Sequence, residues 1–156
     1  MRTIQATPPP PGMSIAVVVS RYNDFVTDRL EAGALAALAH AGVATDDITV
    51  IKVPGAFEIS FAAQQAALTR RFDAVVCLGC LIRGATAHFE HIASAVSHGI
   101  TAASAATGVP MTFGVLTTNS VEEAIERAGE GPANKGWEAA VAAVEMAMVA
   151  GQLKQP

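Results

Sequence analysis

Two runs in this chain, Ile15–Ser20 (IAVVVS) and Ala74–Ile82 (AVVCLGCLI), are apolar at almost every position. Successive side chains of a strand point to opposite faces, so a uniformly apolar strand must be covered on both. These two runs therefore predict the buried central strands of a parallel sheet. Ile48–Val53 (ITVIKV) and Met111–Thr118 (MTFGVLTT) supply two more strands. Helical spacing fills the intervals. Leu30, Ala34 and Leu38 recur every four residues, and Gly42 closes that helix. Phe57–Arg70 predicts a second helix and His88–Thr107 a third, with Ile92, Val96 and Ile100 along one side. Asn119 or Ser120 caps a short helix that has Glu122 and Glu123 in its first turn and ends at Gly129. A last helix runs from about Asn134 to Ala150, with Trp137, Val141, Val144 and Met148 as its apolar stripe.

Strands alternating with helices imply right-handed crossovers. The expected fold is α/β, a three-layer αβα sandwich around a four-stranded parallel sheet, flavodoxin-like in outline. An apolar fraction of 51% with only 15% charged residues excludes a disordered chain. The formal charge of −4 gives no reason to expect nucleic acid, which would call for a basic face. The longest apolar run falls well short of the roughly 20 residues that cross a bilayer, so no membrane partner is expected. The start, MRTIQATPPPPGM, lacks the apolar core of a signal peptide, and a cytoplasmic location is expected. Pro8 to Pro11 favour an extended arm, either a loose tail or one laid on a neighbouring subunit. The expected organisation is an arm over residues 1–13, one domain over 14–150 and a tail over 151–156.

In an open parallel sheet, ligands bind at the carboxyl ends of the strands. Here those ends lead into Arg21-Tyr22-Asn23, Pro54-Gly55-Ala56-Phe57-Glu58, Arg83-Gly84-Ala85-Thr86-Ala87-His88 and Thr117-Thr118-Asn119. The third carries the most chemistry, with Arg83 as the expected cation of an anion-binding turn. Gly84 and Ala85 leave backbone N–H groups uncovered, Thr86 adds a hydroxyl, and a helix N-terminus follows, a combination that suits phosphate. It is not a P-loop, and an ordinary strand-to-helix turn capped by Thr86 accounts for the same residues. His88, in the first helical turn, can move protons near neutrality or be a plain surface residue. His91 and His98 read as surface or interface residues. Glu58 can accept hydrogen bonds from a polyol or amine, or simply satisfy a helix start. Tyr22 can stack on a planar ring or be a packed aromatic. Cys77 and Cys80 form a CxxC, but a separation of three along a strand sends them to opposite faces. They read as buried thiols rather than a metal or redox pair, and no metal site is expected.

Six segments in order resemble the 6,7-dimethyl-8-ribityllumazine synthase family of riboflavin biosynthesis: Ser20–Asn23, Val53–Ile59, Ile82–Phe89, Phe113–Thr118, Ala124–Gly129 and Asn134–Ala139. They span nearly the whole chain. The resemblance implies a cofactor-independent transferase. It would condense 5-amino-6-ribitylaminouracil with 3,4-dihydroxy-2-butanone 4-phosphate, releasing phosphate and water. Residue by residue, it implies that Tyr22 stacks on the pyrimidine and that Asn23, Ala56, Phe57 and Glu58 hold the ribityl chain. Cys80, Leu81 and Ile82 would line the ring pocket, Gly84, Ala85 and Thr86 would cradle phosphate, and His88 would transfer protons. Phe113, Arg127 and Lys135 would come from an adjacent subunit, with Glu138 orienting the charges. Phe113 lies near the start of its strand, away from the crevice, so the implied site requires a homo-oligomer. The family forms pentamers, some building an icosahedral 60-subunit capsid. The short Glu130–Ala133 link points to such a cage, and riboflavin synthase is a candidate partner.

The chain departs from the family pattern in three places. Tyr22 stands where phenylalanine is usual, Ser60 where proline is, and Cys80-Leu81 where a threonine–valine pair is. None of these removes a catalytic group. A non-catalytic flavin- or lumazine-binding cage is the competing expectation. The presence of His88, Arg127 and Lys135 together favours the enzyme. An electron-transfer flavodoxin is more remote, because the chain lacks a serine- and threonine-rich first loop.

Overall fold

The structure, a computed structural model, describes residues 1–155. Four strands, β1 (Ile15–Ser20), β2 (Ile48–Val53), β3 (Ala74–Ile82) and β4 (Met111–Thr118), form one parallel sheet in the order β2-β1-β3-β4. All four occupy the spans expected from sequence. β1 is buried along its whole length and β3 over all but its last two residues, as strands covered on both faces must be. The helices are α1 (Asp24–Ala41), α2 (Ile59–Leu68), α3 (His88–Thr107), α4 (Val121–Arg127) and α5 (Lys135–Leu153).

Two apolar cores flank the sheet, giving the three layers. One packs Leu30, Ala34 and Leu38 of α1 and Ala140 and Ala143 of α5 on Val17, Val76 and Leu78. The other packs Ile59 and Ala63 of α2 and Val96 and Ile100 of α3 on Ala16, Val18 and Val75. Cys77 belongs to the second core and Cys80 to the first, the opposite faces that strand geometry requires. Leu30 is fully buried, and truncating such a side chain to alanine costs about 2–5 kcal/mol.

Small residues set the approach of α1 to α5. A Cβ on Gly136 would lie 2.0 Å from the Leu30 carbonyl oxygen, and one on Gly33 would lie 2.4 Å from the Asn134 side-chain oxygen. Gly42 ends α1 in the left-handed region at φ 91°, its N–H donating to Ala39. Ser120 caps α4 by accepting from the Glu123 N–H at 3.2 Å, which settles the choice left open between Asn119 and Ser120.

Three helix ends differ from the sequence expectation. The segment beginning at Phe57 opens as a 3-10 turn over Ala56–Glu58, because the Glu58 carboxylate folds back to accept from the Gly55 N–H at 3.1 Å. That segment ends at Leu68 rather than Arg70, whose φ of 58° leaves the helical region. The last helix continues to Leu153, past the expected Ala150, since one glycine at 151 weakens a helix without stopping it. Residues 1–10 have no regular secondary structure. The Gln152 side chain donates to the Gln5 carbonyl at 2.7 Å. No described helix is long and apolar enough to cross a membrane.

Candidate active site

The carboxyl ends of β1, β2 and β3 surround a cavity of about 850 Å³. From β1 come Tyr22 and Asn23, from the turn after β2 come Pro54 to Glu58, and from β3 come Cys80, Leu81 and Ile82. Gly84, Thr86, His88, Phe89, His91 and Ile92 close the remaining side. Ala85 occupies the same turn but is not part of the lining. The expected first group of site residues is thus assembled around one space, with Ala85 beside it.

Local bonding explains how the sequence holds this shape. Asn23 adopts φ 62°, a left-handed conformation that asparagine tolerates, and its side-chain N–H donates to the Cys80 carbonyl at 2.9 Å. That bond ties the turn after β1 to the end of β3, while the Asn23 main-chain carbonyl accepts from the Val26 and Thr27 N–H groups at 2.9 and 3.0 Å and so starts α1. Glu58 uses one carboxylate oxygen on Gly55, so the other can meet a ligand. Thr86 Oγ1 accepts from the His88 N–H at 3.4 Å, a long bond at the start of α3. Tyr22 is 71% exposed and Phe57 62%. Two open aromatic faces at one cavity suit a flat apolar ligand surface.

Arg83 behaves differently from the sequence expectation that it supplies the cation of an anion-binding turn. Its guanidinium donates to Asn119 at 3.0 Å and pairs with Glu90, and it lies 4.5 Å from the centre of the Phe89 ring. Arg83 is absent from the cavity lining. It therefore fastens the β3–α3 turn to the end of β4 instead of offering free charge. The hydrogen bond to its own backbone N–H holds the Glu90 carboxyl below the usual carboxylate value. Arg83 adds to that shift, with desolvation opposing it. His91, expected only at the surface or an interface, shares the cavity with His88. His98 does not, its Nδ1 lying 2.9 Å from the Ser94 carbonyl oxygen one turn back.

A second groove, of about 450 Å³, gathers the other expected group: Phe113, Arg127, Lys135 and Glu138. Lys135 Nζ donates to both carboxylate oxygens of Glu138, at 2.8 and 3.0 Å, and Arg127 donates to the Glu123 carbonyl at 3.2 Å. Phe113 is 49% exposed. It pairs with Cys77, while Ile82 at the cavity pairs with Thr118. At roughly 3.3 Å per residue, that places Phe113 about 16 Å down the strand from the crevice. No residue lines both spaces.

Neither cysteine can act as a nucleophile near neutrality. Burial pushes the Cys77 thiol up to about 12 and the Cys80 thiol up to about 11, and both are free. Among the described residues no three His, Cys, Asp or Glu side chains converge as a metal-binding group.

Sequence reasoning passed over Asn134 as more than a helix start. It is 3% exposed, and both ends of its carboxamide are bonded. Its sole sequence signal was the N-cap position before an apolar stripe.

The chain is similar to known proteins over nearly its full length. The family model for 6,7-dimethyl-8-ribityllumazine synthase matches residues 12–150. A 6,7-dimethyl-8-ribityllumazine synthase of Syntrophus aciditrophicus (strain SB) is 55% identical over 135 residues, covering 86% of this chain and 88% of the relative. One from Desulfatibacillum aliphaticivorans is 46% identical over 153 residues, covering 98% of this chain and 99% of the relative. With the sheet order, the crevice and these matches in agreement, the chain belongs to the 6,7-dimethyl-8-ribityllumazine synthase family.

Proposed function

We infer that this chain condenses 5-amino-6-ribitylaminouracil with 3,4-dihydroxy-2-butanone 4-phosphate to give 6,7-dimethyl-8-ribityllumazine, a step of riboflavin biosynthesis. The observation that carries this reading is the split of complementary chemistry between two separate spaces. One offers aromatic faces, a carboxylate, a glycine-bordered turn and an imidazole; the other offers an aromatic ring and two cations.

Each group has a task in the reaction. Tyr22 stacks on the pyrimidine, and Asn23, Ala56, Phe57 and Glu58 hold the ribityl chain through backbone, carboxamide and carboxylate. Cys80, Leu81 and Ile82 pack the ring edge. The substrate amine attacks the ketone, and loss of water gives an imine. Phosphate then leaves, with Gly84, Ala85 and Thr86 cradling its oxygens at the start of α3 and Arg127 neutralising its charge. His88 carries the protons that the elimination and the ring closure move. Closure expels a second water. Lys135, oriented by Glu138, stands beside the reacting groups, and Phe113 covers the ring.

Because Phe113, Arg127 and Lys135 open onto the second groove, the complete site forms where one subunit lays that groove over another's cavity. Such a head-to-tail contact closes into a ring, and a pentamer is the assembly we propose. The short Glu130–Ala133 link supports further assembly of pentamers into a 60-subunit capsid, with riboflavin synthase as a partner. A cytoplasmic location and no organic cofactor accompany this reading, with residues 1–13 an arm, 14–150 the domain and 151–156 the tail. The test is to combine the purified chain with both substrates and follow lumazine fluorescence. Product forming with both substrates and with neither alone is expected. Substrate binding without product would favour a non-catalytic lumazine-binding protein.

A further inference from the structure

We propose that Asn134 is a positioning residue that fixes Arg127 and Lys135 relative to each other, and so governs how the phosphorylated substrate is handled. This rests on the function inferred above. Its carboxamide satisfies its full hydrogen-bonding capacity across three segments of chain. The Asn134 side-chain nitrogen donates to the Arg29 carbonyl of α1 at 3.1 Å and to the Gly129 carbonyl at 2.8 Å, just beyond α4. Its oxygen accepts from Gly136 at 2.7 Å and from Trp137 at 3.2 Å, the first free amides of α5. The side chain is 3% exposed, so water cannot take over these bonds.

The placement matters because of what flanks it. Arg127 ends α4 and Lys135 begins α5, and the link between them turns around Asn134. One end of the carboxamide grips the chain after Arg127, and the other grips the chain after Lys135. The bond to Arg29 anchors both to α1. Gly33 and Gly136 leave the room this requires, since a Cβ on Gly33 would meet the Asn134 oxygen at 2.4 Å and one on Gly136 would meet the Leu30 carbonyl at 2.0 Å. Glycine at both places is what lets the carboxamide lie between the helices.

The test uses Asn134→Ser, which keeps an oxygen to cap α5 but, with a single O–H, cannot reproduce the two donations to Arg29 and Gly129. The expected result is a rise of about tenfold in KM for the sugar phosphate, and a matching weakening of inhibition by inorganic phosphate. KM for the pyrimidine and the oligomeric state stay at the parent's values. A purely structural role would instead lower the amount of active enzyme and leave both KM values and the phosphate inhibition alone; that outcome, or equal changes for both substrates, overturns the inference. Gly33→Ala, which pushes on the same oxygen while retaining Asn134, should reproduce the split in milder form. If neither variant assembles, Asn134 is a folding element and the inference fails. A parent enzyme that makes no lumazine would instead refute the underlying function.

Discussion

Phe113 stands opposite Cys77 in the β3–β4 ladder, five residues before Thr118 pairs with Ile82 at the rim of the large cavity. Its half-exposed ring opens, with Arg127 and Lys135, onto a groove separate from that cavity. Since side chains on one rigid sheet cannot travel its length, these residues complete the site of another copy or take no part.

His88→Ala should lower kcat by about 10²-fold or more, the usual contribution of a positioned acid–base group, with little change in affinity for the lumazine product. Steady-state rates and product titration together check this. A variant matching the parent's rate across neutral pH would remove His88 from the chemistry.

Arg127→Ala deletes a cation on the second groove without touching the cavity proposed to receive the pyrimidine. KM for the sugar phosphate should rise about 10-fold to 100-fold, as loss of a charge-assisted bond implies, and KM for the pyrimidine should rise far less. Equal increases would contradict its assignment to phosphate.

Glu90 gives a pH signature. Its carboxyl is held below its ordinary value by its own backbone N–H and by Arg83. A depressed folded value means its contribution to stability is fully present above the unfolded carboxylate pKa and is lost as pH falls through the folded one. The difference in melting temperature between the parent and Glu90→Gln should therefore be constant near neutrality and shrink in acid. A difference that grows in acid would show that the Arg83 pair does not stabilise the turn.

The two thiols should be inert in the native protein. With values pushed up to about 12 and about 11, both remain protonated at pH 8, and both are buried from solvent as well. Iodoacetamide should modify neither until denaturant is added, when both should react. Native labelling at the rate of a free thiol would mean that the sheet opens.

The strands were legible because coverage on both faces writes an unbroken apolar run, as in Ile15–Ser20, and their carboxyl ends marked the cavity in advance. His88–Thr107 was equally clear from its stripe of Ile92, Val96 and Ile100. Less was legible where one side chain decides between geometries. The Glu58 bond to Gly55 converts a helix start into a 3-10 turn without changing the apolar pattern. Arg83 reads as free charge until Asn119, far along the chain, and Glu90 are seen to occupy it. Asn134 bonds to Arg29 across most of the chain, a relationship that no local period encodes. The second groove is a different case. Nothing in the spacing of Phe113, Arg127 and Lys135 ties them to His88; only the family resemblance did.

Mixing two crippled chains tests the shared site most directly. His88→Ala spoils the cavity and Arg127→Ala the groove, so with the sugar phosphate held well below the parent's KM each homo-oligomer alone should be nearly inactive. If the two halves come from different subunits, unfolding and reassembling the variants together at equal amounts restores about a quarter of the parent's sites by random pairing across a head-to-tail interface. Activity of the reassembled mixture no greater than the average of the two variants would contradict the account.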